Sequence, residues 1–320
     1  MRVAVIGLGY WGTNWVRTLK ESPDIEQVVG LDPSDQARAA LVQRHSDIRV
    51  IESLNDLLSD PALKAVILAT PASTHFSLAR RCLLAGKHVL VEKPATTRWD
   101  EARMLDRIAQ DQALVFMVGH TALFTPEFEA VRALADRGEL GRLLYFEAYY
   151  GNVGQVRSDT NVLWDLAPHP LAMFASLFPE PVIDVMTWGL AQPSRCLDTC
   201  HILLRTASGA SGHAWVSWRY PVKTRRWVVG GTDRTVVVDE VSPNQRVQAF
   251  ELDPQTGRSA RLSMQSPSRP PSQPLARELQ CFLEAIRSEA GRATDAMSWL
   301  PTMELLTRAE SSLGGMDHVD

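Results

Sequence analysis

Asp165 and His169 have the residue types and the spacing needed for acid–base chemistry. They stand four residues apart in the string DLAPH, so on a helix they would share one face and their side chains could meet. A carboxylate beside an imidazole raises its basicity and fixes its orientation, which gives a general base near neutral pH. The alternative interpretation is an aspartate at a helix start and a histidine held in the core.

Lys93 is a second candidate, because it follows an apolar strand-like run and precedes Pro94. At a strand end its ammonium could lie beside a bound ligand, across the sheet from the glycine-rich string at residues 7–12. A surface lysine is the alternative, and residue chemistry alone leaves both interpretations open. His75, His120 and Trp164 are weaker candidates, since buried histidines and aromatic core residues are common. Trp215 and Trp218 are interpreted as sheet packing.

The elements that would position these groups begin with a strand, a glycine turn and a helix. The apolar run from Val3 ends in Gly7-Leu8-Gly9-Tyr10-Trp11-Gly12, a G-x-G-x-x-G pattern. The first glycine permits the tight turn, the second lets backbone approach a pyrophosphate, and the third allows close helix–strand packing. Asp32 ends the next apolar run, twenty residues after Gly12, where a carboxylate could hold ribose hydroxyls. We therefore predict a dinucleotide site that includes Tyr10 and Trp11; a glycine turn without a ligand is the alternative.

Strands and helices alternate through the first 121 residues, and most of the strands are apolar on both faces. This pattern is typical of a doubly wound parallel sheet covered by helices, a Rossmann-type α/β domain. Ligands of such sheets gather at the carboxyl ends of the strands. The residues that fall at these ends are Gly7, Asp32, Thr70, Glu92 and His120.

Beyond residue 122 the pattern changes to long β-type runs with few helices. Two pairs of runs flank short glycine turns and are predicted as hairpins, one around residue 209 and one around residue 231. A helix is predicted over 162–177, with Pro168 and Pro170 near its start or breaking it. We therefore predict a second domain over 122–320, of α+β class with a large open, mainly antiparallel sheet. Its last helix could pack back on the first domain.

Composition excludes several classes of partner. The chain has 320 residues, of which 45% are hydrophobic and 22% charged, and its formal net charge is −4. This balance gives no electrostatic reason to expect nucleic acid or a membrane surface as a partner. The four cysteines are too few and too irregular for a disulfide framework, and Cys196, Cys200 and His201 lack a second ligand cluster, so no metal is predicted. No signal peptide or membrane span is apparent, and a cytoplasmic location is expected.

Five short strings resemble the Gfo/Idh/MocA oxidoreductases, the relatives of glucose-fructose oxidoreductase and inositol dehydrogenase. They occur in the expected order and are GLGYWG at 7–12, ATPASTH at 69–75, EKP at 92–94, VGHTALFTP at 118–126 and DLAPH at 165–169. The longer strings GYWGTNWVR and NVLWDLAPH are more similar to the branch associated with sugar-nucleotide and polysaccharide biosynthesis. The chain departs from many members at Leu123, where they carry Arg, and at Pro170, where Asp soon follows the motif histidine.

The resemblance implies roles for individual residues. Lys93 matches the EKP lysine that contacts cofactor and substrate, and Asp165 and His169 match the D-x-x-x-H pair that completes the catalytic set. Thr70, Pro71 and His75 match the segment that lines the cofactor. Glu92, at the same strand end as Lys93, is also a predicted cofactor contact. The family's open sheet often pairs subunits, which implies a homodimer or homotetramer.

The sequence therefore predicts an oxidoreductase that moves a hydride between NAD and a secondary alcohol or ketone of a sugar or sugar nucleotide. Asp32 favours NAD over NADP, because its carboxylate would repel a 2′-phosphate, although Arg38 could reach that position. Asn152, Arg157 and Asn161 are predicted substrate contacts, with a solvated surface arginine as the alternative for Arg157. Two other hypotheses remain open: an inositol, aldose or dihydrodiol dehydrogenase of the same fold, and a non-catalytic NAD-binding regulator.

Overall fold

The computed structural model describes residues 1–153, 160–191, 196–253, 256, 259–262, 266–267, 273–288 and 299–313. The chain divides into two compact units, each formed by two stretches of chain. The first comprises Met1–Thr121 and Pro271–Leu300, and the second comprises Ala122–Pro270 and Pro301–Asp320.

The first unit is built on a six-stranded parallel sheet with the strand order β3-β2-β1-β4-β5-β6. Its strands are β1 Arg2–Ile6, β2 Gln27–Leu31, β3 Arg49–Ile51, β4 Leu63–Leu68, β5 His88–Glu92 and β6 Phe116–Gly119. Its helices are α1 Tyr10–Glu21, α2 Asp35–Arg44, α3 Leu54–Ser59, α4 Ala72–Leu84, α5 Trp99–Asp111 and α9 Gln273–Arg287. The predicted Rossmann-type sheet is confirmed.

The apolar strands form the core of this sheet because both of their faces are covered. Val3, Ala4 and Val5 of β1 are fully buried, as are Ala65 to Leu68 of β4. Such strands read as continuous hydrophobic runs, in contrast to the alternating pattern of a half-exposed strand. Since all six strands run in the same direction, the groups that follow them lie along one edge of the sheet.

Helix α9 belongs to the first unit, although it follows the second sheet in the chain. It packs against α1 within this unit, and Arg287 at its end forms an ion pair with Asp24 at 2.5 Å. Leu279, Phe282 and Leu283 on its apolar face are buried. A spacing of three and four residues between these side chains indicates an amphipathic helix, but it does not indicate which unit that helix covers.

The second unit contains an eight-stranded sheet with the strand order β14-β13-β12-β11-β7-β10-β9-β8. Its strands are β7 Leu143–Gly151, β8 Val182–Ala191, β9 Leu197–Thr206, β10 Ser211–Ser217, β11 Thr224–Gly231, β12 Arg234–Asp239, β13 Val247–Leu252 and β14 Ser259–Leu262. Strands β7 and β10 pair in parallel, and the other neighbours are antiparallel. Both predicted hairpins are confirmed, as β9–β10 and β11–β12, whereas β14 was not predicted.

Four further helices lie in the second unit, α6 Pro126–Asp136, α7 Val162–Leu166, α8 Pro168–Leu177 and α10 Leu300–Ser312. The region predicted as one helix is split at Ala167, so the assumption that Asp165 and His169 share a single helix is corrected. Pro168 and Pro170 lack the backbone N–H groups that a continuous helix needs there. Ala167 itself keeps a helical backbone conformation, with φ −69° and ψ −21°. Among the described helices, none has both the length and the apolar character that crossing a membrane requires.

Candidate functional site

The glycine loop at the end of β1 is shaped by close backbone contacts. Gly7 has φ +90°, and a methyl group built on it would lie 2.6 Å from the carbonyl oxygen of Ala69. A methyl group on Gly12 would lie 1.8 Å from the carbonyl oxygen of Gly7. Gly9 differs from both, because nothing lies within 4 Å of the position that its methyl group would occupy. Two glycines therefore allow the turn to close, and the third leaves open space above it.

Helix α1 begins at this open space. Gly9 is its N-cap residue and supplies no side chain to bond the first backbone N–H groups. These N–H groups and the positive end of the helix dipole favour an anion such as a phosphate. Tyr10 and Trp11, the first two residues of the helix, are 77% and 41% exposed and pack edge to face. The arrangement fits a pyrophosphate at Gly9, as the sequence predicts.

Asp32, which follows β2, stabilises the glycine loop through its carboxylate. Its two carboxylate oxygens accept hydrogen bonds from the backbone N–H groups of Leu8 and Ser34, both at 2.8 Å. Each oxygen retains capacity for a further donor, such as a ribose hydroxyl. Arg38 donates to the Asp32 carbonyl oxygen at 2.6 Å, and its guanidinium also forms ion pairs with Asp35 and Glu52. The charge of Arg38 is therefore shared with two acidic side chains.

His75 joins two strand ends. It is buried on α4, with Nδ1 at 2.7 Å from the Pro94 carbonyl oxygen and Nε2 at 2.9 Å from that of Thr70. Carbonyl oxygens only accept hydrogen bonds, and a neutral imidazole carries one ring N–H, so His75 donates to at least one of these two carbonyls. Pro71 caps α4, and the Thr74 hydroxyl donates to the Pro71 carbonyl at 2.7 Å. These contacts give His75 a structural role in holding the segment that carries Thr70 and Pro71.

Lys93 follows β5 and is half-buried, and the peptide bond that joins it to Pro94 is cis. The neighbouring carboxyl of Glu92 is buried and accepts a hydrogen bond from Trp15 Nε1 at 2.7 Å. Burial raises the pKa of Glu92, while the Trp15 hydrogen bond and the Lys93 charge lower it. The hydrogen bond from Trp15 therefore anchors Glu92, the residue before Lys93, to helix α1.

Two further titratable groups are buried in this unit. Burial lowers the pKa of His120 to about 4, and the Lys93 charge acts in the same direction. Glu278 on α9 is fully buried, and its Oε2 accepts a hydrogen bond from the Thr121 hydroxyl at 3.0 Å. Burial raises the pKa of Glu278 well above its usual value, and the charge of Glu92 adds to this. His120 is therefore neutral at physiological pH, and Glu278 keeps its proton to higher pH than an exposed glutamate.

In the second unit, Asp165 is held by an indole. Trp218 Nε1 donates to Asp165 Oδ2 at 3.0 Å. Trp218 follows β10 and is buried, while Trp215 on the same strand contacts Tyr149 and Tyr220. The burial of Trp218 agrees with the prediction of sheet packing, but that prediction missed the hydrogen bond of the indole. Its indole N–H is a hydrogen-bond donor to one of the predicted catalytic residues.

His169 on α8 is half-buried and lies against Tyr150 of β7. The two rings are stacked with 6.2 Å between their centroids and 22° between their planes. The Tyr150 hydroxyl donates to Glu240 Oε1 at 3.1 Å. A histidine packed on an aromatic face is restricted in its rotation, which is what a residue that transfers protons requires.

Asn152 and Asn161, two of the predicted substrate contacts, lie in different structural settings. Asn161 is the N-cap of α7, and its side-chain oxygen accepts from the Trp164 backbone N–H at 3.2 Å. Asn152 lies after β7, and its backbone N–H donates to the Ser217 carbonyl at 3.1 Å. Arg157 lies outside the described residues. Asn161 thus has a helix-capping role that its position before VLW could have indicated.

Cys196, Cys200 and His201, the weak zinc pattern of the sequence, do not form a metal-binding cluster in the described structure. Cys200 is buried, and burial raises the pKa of its thiol to about 12, whereas His201 follows on the other face of β9. Among the described residues, no group of three or more histidines, cysteines or acids is arranged to hold a metal ion.

The contacts of three residues beside the candidate side chains were missed from the sequence. Trp15 anchors Glu92, Glu278 lies beside Thr121, and Trp218 bonds Asp165. Trp15 lies on helix α1, directly after the glycine motif, so its position near the predicted site could be inferred from the sequence. Its hydrogen bond to Glu92 could not. Glu278 stands 157 residues from Thr121, and no local pattern connects them.

Two family profiles match this chain over most of its length. The profile described as "Oxidoreductase family, NAD-binding Rossmann fold" matches residues 1–120. The profile described as "GFO/IDH/MocA C-terminal domain" matches residues 128–237.

Curated relatives include enzymes with different substrates. An uncharacterized oxidoreductase, YdgJ of Escherichia coli, is 32% identical over 60% of this chain and 57% of its own length. UDP-N-acetylglucosamine 3-dehydrogenase of Acidithiobacillus ferrooxidans is 31% identical over 75% of this chain and 74% of its own. The scyllo-inositol 2-dehydrogenase (NADP(+)) IolW of Bacillus subtilis is 28% identical over 64% and 59%. The chain thus spans less than two-thirds of the first and third of these relatives.

A solved structure extends the similarity to nearly the full chain. The structure of the Acidithiobacillus ferrooxidans UDP-N-acetylglucosamine 3-dehydrogenase matches with a TM-score of 0.81 and 26% identity. The match covers 98% of this chain and 99% of that one.

Proposed function

This chain belongs to the Gfo/Idh/MocA oxidoreductase family, and on that premise we propose that it is an NAD-dependent dehydrogenase of a nucleotide-linked sugar. The reaction is hydride transfer between nicotinamide and a secondary alcohol or ketone of the sugar. The substrate class is supported by the similarity to UDP-N-acetylglucosamine 3-dehydrogenase, which extends over nearly the full chain.

The observation that carries the reaction class is the open space at Gly9. The uncapped N-terminus of α1 adjoins it, and the Asp32 carboxylate is fixed to the same loop through Leu8. Residues of the loop would hold the pyrophosphate, and Asp32 would accept a hydrogen bond from the adenosine ribose. Bound NAD supplies the hydride acceptor for the reaction.

The chain's own residues handle the proton and the oxygen. In the direction of oxidation, His169 takes the proton of the substrate hydroxyl as the adjacent carbon gives up its hydride. Asp165 stabilises the charged imidazole that results, and the indole of Trp218 keeps Asp165 in place. Lys93 donates a hydrogen bond to the reacting oxygen and stabilises the negative charge that develops on it.

Variants at Lys93 and His169 test these roles. Lys93→Ala and His169→Ala should each still bind NADH, measured by its fluorescence. Each should lower kcat by about 10²–10⁴-fold, the range of a lost general acid–base or charge-stabilising group. Arg98→Ala, an exposed cation near Lys93 in sequence, is the matched control. Full turnover in both catalytic variants would refute this mechanism.

The substrate is identified by single-turnover reduction of bound NAD. The purified protein is mixed with UDP-, dTDP- and GDP-sugars, free sugars or inositols, and NADH absorbance is followed. We expect a signal from a UDP-N-acetylhexosamine. A signal from inositols or free aldoses alone would favour the second candidate, an inositol or aldose dehydrogenase, which the similarity to a scyllo-inositol 2-dehydrogenase supports. Silence with NAD bound would favour a non-catalytic regulator.

We propose NAD as the cofactor because of the surroundings of Asp32. Its carboxylate would repel a 2′-phosphate, and Arg38 is engaged by Asp35 and Glu52. NADH should bind at least tenfold more tightly than NADPH. A lower dissociation constant for NADPH would contradict this assignment.

We also propose that the open sheet of the second unit pairs two or four copies of the chain. Met186, Trp188 and Leu190 point to one face of β8 and are 53%, 53% and 60% exposed. Side chains of this kind on one sheet face are typical of a subunit interface. Light scattering should give the mass of a dimer or tetramer, and Trp188→Lys should lower it; a monomeric wild type would refute the proposal.

A further inference from the structure

His169 packs on a tyrosine that contacts two side chains of opposite charge. Its imidazole is stacked on Tyr150, whose hydroxyl donates to Glu240 Oε1 at 3.1 Å. The guanidinium carbon of Arg225 lies 4.8 Å from the centre of the same tyrosine ring. One anion and one cation therefore meet the ring against which His169 rests.

This arrangement is fixed by contacts from two neighbouring strands. Tyr150 is fully buried, and Trp227 Nε1 donates to the same Glu240 oxygen at 3.1 Å. The Glu240 backbone N–H donates to the Arg225 carbonyl at 2.8 Å. Arg225 and Glu240 are themselves half-buried. Their charges are thus held in place beside Tyr150 and act in a medium less polar than bulk water.

We propose that Tyr150, Arg225 and Glu240 are positioning residues that hold the His169 imidazole flat and balance the charge around it. The inference rests on the proposed role of His169 as the base. A nearby anion stabilises the charged imidazole, and a nearby cation destabilises it. The tyrosine face itself attracts a cation. With both charges present, their opposite effects on the His169 imidazole offset each other.

Other charged groups around α8 are the same in every variant compared. Asp165 on α7 stands four residues before His169 in the chain. Arg132 on α6 donates to Ser176 at 2.9 Å, seven residues and about 10 Å further along α8. From β10 the buried face towards α8 consists of Gly212, Ala214 and Val216, which carry no charge. Changes at Arg225 and Glu240 therefore report on those two charges.

The opposite face of the same strands supplies matched controls. Arg225 pairs with Tyr150 across β11 and β7, and Arg226 pairs with Tyr149 in the next register position. Tyr149 donates to Glu147 Oε2 at 3.3 Å, so this face repeats the same three residue types. Successive side chains of a strand point to opposite faces, so these residues do not face His169.

The test is a pH titration of the histidine rings by NMR of the full-length protein without substrate. The His169 signal is assigned by its loss in His169→Gln. Glu240→Gln should move its titration midpoint to lower pH, and Arg225→Gln should move it to higher pH, each by roughly 0.5 to 1 pH unit. The double variant should return close to wild type. Glu147→Gln and Arg226→Gln should leave the midpoint within about 0.2 pH unit, because their charges lie on the opposite face of the sheet.

Three results would overturn the inference. These are midpoints that do not move in either variant, midpoints that move in the same direction, and a wild-type His169 that does not titrate between pH 5 and pH 9. If Glu240→Gln fails to fold, Arg225→Gln and Tyr150→Phe test the inference in its place. Tyr150→Phe removes the hydroxyl that donates to Glu240 and should shift the NMR signal of His169. Full turnover in His169→Ala would refute the proposed function instead, without changing these shifts.

Discussion

The loop of the first unit is shaped by its backbone, whereas the catalytic candidates of the second unit are held by side chains. Gly7 and Gly12 close the turn because no side chain fits there, and Asp32 accepts two backbone N–H groups. In the second unit, Trp218 holds Asp165 and Tyr150 packs on His169. Backbone contacts within a loop follow a short motif, whereas side-chain contacts between elements far apart in the chain do not.

The difference has a consequence for tolerance to mutation. A backbone contact at a glycine cannot relax without moving the loop, so any side chain there should disrupt the site. A side-chain contact can be removed while the fold persists, at the cost of one hydrogen bond. Substitutions at the glycine contacts of the first unit should therefore abolish cofactor binding, whereas removal of a side-chain contact in the second unit should lower activity only in part.

The largest effect is expected for Gly12→Ala. A methyl group would lie 1.8 Å from the Gly7 carbonyl oxygen, so helix α1 must shift away from β1. We expect a loss of about 3 kcal/mol or more and a melting temperature about 10 °C lower. NAD binding, measured by calorimetry, should be lost.

Gly9→Ala is the matched control, because its methyl group would enter open space. Its melting temperature should stay within about 2 °C of wild type, as for a surface substitution. Its NAD affinity should nevertheless fall, since the methyl group occupies the approach of the pyrophosphate. If Gly12→Ala melts and binds NAD as wild type does, the loop is not held by backbone contacts.

A smaller effect is expected for Trp218→Phe. The change removes the indole N–H that donates to Asp165 at 3.0 Å and keeps most of the buried ring. A hydrogen bond to a charged group contributes about 1.5–3 kcal/mol, which lowers the melting temperature by about 5 °C. Turnover should fall with little change in NADH affinity.

Trp215→Phe provides the comparison on the same strand. Trp215 is half-buried and packs against Tyr149 and Tyr220, away from Asp165. Its loss should leave turnover within about twofold of wild type, as expected of a substitution outside the site. Equal losses of turnover in the two variants would show that the Asp165 contact has no special role.

The smallest effect is expected for Glu278→Gln, measured as thermal stability against pH. Burial raises the pKa of Glu278, so the folded protein binds this proton more tightly than the unfolded chain. Stability should therefore fall as pH rises above about 4.5 towards the raised pKa. The glutamine variant cannot ionise, so its melting temperature at pH 8 should be about 2–4 °C higher than that of wild type.

Glu284→Gln, an exposed position on the same helix, is the control and should follow the wild-type pH profile. If the melting temperature of Glu278→Gln parallels that of wild type at every pH, burial does not raise the pKa of Glu278.

Much of the first unit could be predicted because its signals are local. The strand–glycine–helix pattern, the apolar strands and the EKP turn each depend on residues adjacent in the chain. Helix α5 was predicted with its observed limits, Trp99–Asp111. In the second unit the hairpins were predictable from their turns, but β14 was not, because Ser259–Leu262 has only four residues and none of them is β-branched or aromatic.

The sequence alone determined the sheet class of the first unit, the glycine loop and the residues that could do chemistry. These follow from steric limits and periodicities that act over a few residues. The tertiary structure decided which side chains hold them: Trp15 on Glu92, Glu278 beside Thr121, Trp218 on Asp165 and Tyr150 under His169. These partners lie 19 to 157 residues apart, and chain folding, not spacing, brings them into contact.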